Sequence, residues 1–221
     1  MTTAIQPDTD LRYWLANEDW YMSRYTREWL ERTPPEIAAD TLAAIAEDAV
    51  AEPRAPWAIV ATVVASAGLA TSDGIGGKGP GSRKAGTRAA LILAERGDSR
   101  AIPPLVRVFS TGGFLQSKYQ SQIETALAKL LESADAPSGL PTYAGDIRTL
   151  AECIWQSGER QDLSPAHADL LLAAIRTLDA IGGPAELAII RAIAESTAGN
   201  VARQPQRARV KAVAENLIAT K

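Results

Sequence analysis

The chain has 221 residues, 46% of them hydrophobic but only 5% aromatic, and carries a net charge of −3. That length allows one elongated domain or two small ones, and the acidic balance argues against bulk affinity for nucleic acid. A single cysteine, Cys153, excludes an internal disulfide and a cysteine-based zinc site.

Residues 1–9 are polar and lack the basic region and apolar core of a secretory signal, so the cytoplasm is the expected location. Residues 10–32 read as one or two helices. Tyr21, Tyr25 and Trp29 are spaced four apart and share a face, with Trp14 and Trp20 close by. Such a surface has two readings: an aromatic platform for a base, sugar or peptide, or an atypical cap over the apolar end of a repeat array. Thr33-Pro34-Pro35-Glu36 predicts a helix start, with Thr33 as the cap, prolines in the first turn and an acid at the positive dipole end. That helix should reach about Ala51. Pro53 and Pro56 then punctuate, and Trp57 to about Leu69 is the return helix. The longest apolar run, Trp57–Ala70, is too short to span a membrane. Residues 71–85 predict a Gly-rich loop.

The stretch 86–110, GTRAALILAERGDSRAIPPLVRVFS, is the most informative. Ala90, Leu91, Ala94 and Gly97 lie on one face of a helix that Gly97 ends. Asp98 or Ser99 caps the next helix, Pro103 and Pro104 fall near its first turn, and Ile102, Leu105, Val106 and Phe109 form its apolar face. Together they predict an antiparallel helical hairpin. The pattern recurs in 170–196: with Gly97 placed on Gly182, Ala90 falls on Ile175, Leu93 on Leu178, Ile102 on Leu187, Leu105 on Ile190 and Val108 on Ile193.

The run of Ala and Leu before Gly97, followed by Asp98, Arg100, Ala101, Ile102, Pro103 and Leu105, resembles the HEAT-repeat family. The form G-D-x-R-A-I-x-x-L is similar to units of phycobilin lyases and related bacterial proteins. This one repeat carries the close match, and the other units share only its pattern. The resemblance implies an all-α fold, a right-handed α-solenoid of about four to five HEAT-like hairpins. Residues 1–221 then form a single domain, with 1–32 as capping helices and 33–221 as repeats.

Further along, Thr111–Ser117 predicts a second polar loop, Ser121 to about Ser133 a helix, 134–142 a linker, and Tyr143–Ser157 a helix. Ser164 is the expected cap of a hairpin over 165–196. A third loop covers 197–206, and Arg207–Thr220 forms the last helix.

No catalytic set is evident. The only histidine, His167, reads as a surface residue, because its spacing from Asp169 points the two side chains apart. HEAT-like hydroxylases carry repeated His-Glu pairs for iron, which this sequence lacks; no metal or cofactor is expected. The run Gly74–Lys84 fails the P-loop pattern, since Gly79 follows Lys78 and no strand precedes it. HEAT-like alkylpurine DNA glycosylases are similar in length and architecture, but none of their catalytic residues falls on a matching motif here.

Charge supplies the remaining clue. The stretches 71–88, 110–121 and 197–211 hold nine bases (Lys78, Arg83, Lys84, Arg88, Lys118, Arg203, Arg207, Arg209 and Lys211) against one acid, Asp73. In a stack of hairpins these loops would share one edge, a basic edge for an anionic partner. The expected function is therefore a non-enzymatic scaffold for protein–protein interaction, a subunit of a larger assembly. The alternative is a nucleic-acid-binding accessory protein that contacts phosphates through 71–88 and 197–211. A glycosylase or lyase-type enzyme ranks last.

Overall fold

A computed structural model describes residues 7–17, 20–50, 80–111, 114–133, 139–157, 162–197 and 203–220. Every regular element among them is a helix. The α-helices are α1 (Pro7–Ala16), α2 (Trp20–Arg32), α3 (Pro35–Ala46), α4 (Pro80–Glu95), α5 (Ile102–Thr111), α6 (Phe114–Glu132), α7 (Ala144–Gln156), α8 (Pro165–Ile181), α9 (Pro184–Glu195) and α10 (Pro205–Ala219). Short 3-10 turns at Glu47–Val50, Ser99–Ala101 and Leu140–Tyr143 precede or follow them. None of these helices is long and apolar enough to cross a membrane.

Prolines open α3, α4, α8, α9 and α10, where a missing N–H costs little and the ring presets φ. Two glycines close corners in the left-handed region, Gly97 at φ 77° and Gly182 at φ 75°. They use different bonds. At the first corner Asp98 N–H reaches the Leu93 carbonyl and Gly97 N–H the Ala94 carbonyl, both at 3.0 Å. At the second a single bond joins Gly182 N–H to the Leu178 carbonyl. The expected caps are present: the Asp98 side chain accepts from Arg100 N–H, and Ser164 Oγ accepts from His167 N–H.

The helices form two layers. In one, α1, α4, α6, α8 and α10 follow each other side by side. In the other, α3 with its 3-10 turn is followed by α5, α7 and α9. Two neighbouring pairs, α3 with α5 and α6 with α8, run parallel. Asp40 meets Arg100 and Glu47 meets Arg107, an equal advance along α3 with its 3-10 turn and along the chain into α5. Gln120 meets His167 and Leu131 meets Thr177, the same sense along α6 and α8. One continuous core lies between the layers, built from Ala90, Leu93 and Ala94 of α4, Ile102, Leu105 and Phe109 of α5, Ile123 and Leu127 of α6, and Leu171, Ile175 and Leu178 of α8.

Gly86 shows how close the layers come. A Cβ there would lie 2.4 Å from the Ala49 nitrogen and 2.8 Å from its Cα, so only glycine lets α4 cross the 3-10 turn at Glu47–Val50.

Several boundaries differ from expectation. Thr33 makes no side-chain cap; Pro34 occupies the cap position, and its carbonyl accepts Ala38 N–H. The expected helix over 57–69 and most of the Gly-rich loop lie outside the described residues. Residues 80–85, expected as loop, form the first turns of α4, because Pro80 suits a helix start. Similarly, α6 begins at Phe114 rather than Ser121, since Tyr119 buries its ring within it. Arg83, Lys84, Arg88 and Lys118 therefore sit on helices, as do Arg207, Arg209 and Lys211 of α10.

Candidate binding surfaces

Three of the nine bases of the expected edge, Arg88, Arg207 and Lys211, take part in a different device. A helix C-terminus leaves carbonyls unpaired and carries the negative end of the dipole, so it attracts cations. In this fold a later element supplies them. Arg88 of α4 donates from Nη1 to the Leu15 and Asn17 carbonyls at the end of α1, at 3.0 and 2.7 Å. Lys129 of α6 donates to the Glu95 carbonyl that ends α4, at 3.3 Å. Arg207 of α10 donates to the Trp155 and Ser157 carbonyls at the end of α7, at 2.8 and 2.9 Å. Lys211 donates to the Ser196 carbonyl just past α9.

Arg207 is the extreme case. It is 1% exposed, and its guanidinium lies 4.8 Å from the centroid of the Trp155 ring. Asp162 complements it, accepting the backbone N–H groups of Gln206 and Arg207 at the start of α10. The expectation that Arg207 faces an anionic partner is thus corrected. Its charge is spent inside the protein, since a buried guanidinium must have its donors satisfied.

Other cations meet carboxylates. Arg209 pairs with Asp169 of α8 at 2.8 Å on the surface. Arg100 bonds both Asp98 and Asp40, and Arg107 bonds Glu47. Burial opposes ionisation of Asp98, but the Arg100 hydrogen bonds and charge outweigh it and hold the carboxyl below its usual range. Asp146 moves the other way: burial raises it, with Glu47 adding repulsion against the opposing pull of Arg107. Arg12 of α1 is paired with Asp48.

His167 is not the free surface residue expected from spacing. Its side chain is about one-fifth exposed, and Nε2 lies 2.9 Å from Glu124 Oε1. Gln120 donates to the same oxygen, and Phe109 packs edge-on against the imidazole. The group joins α6 to α8. Spacing from Asp169 could not reveal it, because Glu124 lies on another helix.

Of the remaining bases, Arg83 and Lys84 are partly buried in α4, Arg203 is exposed in the turn before α10, and Lys78 lies outside the described residues. The aromatic set divides. Trp14 and Trp29 pack against the core, and Tyr25 stacks on Trp14 with ring centroids 5.6 Å apart, while remaining 43% exposed. The side chains of Trp20 and Tyr21 lie outside the described residues. Leu11 and Leu15 of α1 are fully buried, packing α1 on α4.

One concavity gathers two expected site residues. A trough of about 750 Å³ runs between α4 and α6, open to solvent. Leu91, Ile92 and Ala126 floor it; Arg88, Lys118 and Lys129 rim it, with Glu95 as the acid. Lys129 escaped the sequence reading because it lies inside a strong helix, outside the loops that drew attention. The i, i+4, i+7, i+11 stripe of Lys118, Gln122, Thr125 and Lys129 was its available signal.

No family model matches the sequence, and comparison with curated proteins and solved structures likewise finds no match.

Proposed function

We propose that the chain is a non-enzymatic scaffold of the α-solenoid kind, built from right-handed HEAT-like hairpins and binding another protein within a larger assembly. The observation that carries this reading is the two-layer stack of helices, with C-terminal carbonyls of α1, α4 and α7 held by side chains from later elements. Such stacking builds an extended surface from local contacts, and proteins of this architecture use that surface for binding. The nucleic-acid reading has less support. Arg207 is buried and Arg209 is ion-paired, which removes two of the eight cations of 71–88 and 197–211 that it rested on.

Crosslinking of the chain in extracts of its native source, with mass-spectrometric mapping of the linked peptides, tests the proposal. A recurrent protein partner linked to defined helices supports it. No recurrent partner, together with oligonucleotide binding that falls steeply with salt, would replace it with phosphate recognition.

A further inference from the structure

We draw no further inference here: the strongest candidate, the open trough between α4 and α6 with its Leu91–Ile92–Ala126 floor, is an unpartnered apolar face, and nothing in the structure shows what covers it.

Discussion

Arg207 offers the sharpest test of how this fold is held together. Replacing it with Met keeps most of the apolar stem but removes two charge-assisted bonds, to the Trp155 and Ser157 carbonyls, and the stacking on Trp155. Each bond to an ionised donor is worth about 1.5–3 kcal/mol, and the cation–π contact about 1 kcal/mol. Against this, the variant no longer desolvates a guanidinium, which recovers several kcal/mol of gross cost. Water also reaches part of the freed carbonyls, because Ser157 is exposed. The net loss should be about 3 kcal/mol, a fall in Tm of roughly 6–12 °C for a chain of this size. Arg207→Lys keeps the charge but cannot fork to both carbonyls, so it should fall between the two. Differential scanning calorimetry at pH 7 reads both variants. An Arg207→Met chain melting within about 2 °C of the parent would refute the argument that this buried cation holds α10 against the end of α7. So would an Arg207→Lys chain less stable than Arg207→Met.

Three further outcomes are expected. Gly86→Ala gains about 1 kcal/mol of helix propensity but drives a Cβ into the Ala49 backbone, at a cost of about 3 kcal/mol; urea unfolding should show a net loss near 2 kcal/mol, and a more stable variant would contradict the close crossing. Asp162→Ala removes the acceptor for two N–H groups at the start of α10 and should cost about 1–2 kcal/mol, seen as faster amide exchange confined to that helix turn. Asp98 titrates below its unfolded value, so its contribution is complete above about pH 4 to 5 and is lost as pH falls through the folded pKa. The stability gap between the parent chain and Asp98→Asn should therefore narrow with acidification, and a gap independent of pH between 6 and 3 would remove Arg100 as the cause.

Much of the architecture was written locally in the chain. The left-handed glycines at 97 and 182, the prolines at helix starts, the caps at Asp98 and Ser164, and the apolar faces of α4, α5, α6 and α8 all depend on residues within a turn or two of each other. Their physics is short-range, so spacing alone exposed it. The fate of the cations was different. Clusters of Arg and Lys in nominal loops invited a binding edge, yet Arg88 finds its carbonyls 73 and 71 residues away and Arg207 finds its own 52 and 50 residues away. His167 meets Glu124 only because α6 and α8 lie side by side. Sequence by itself determined the corners at Gly97 and Gly182 and the caps at Asp98 and Ser164, though not the starts of α4 and α6, which lie earlier than expected. Only the tertiary structure decided which charges are satisfied internally. The acceptors at helix ends are backbone groups, common to every residue type, and nothing in the chain marks them until packing brings a cation within reach.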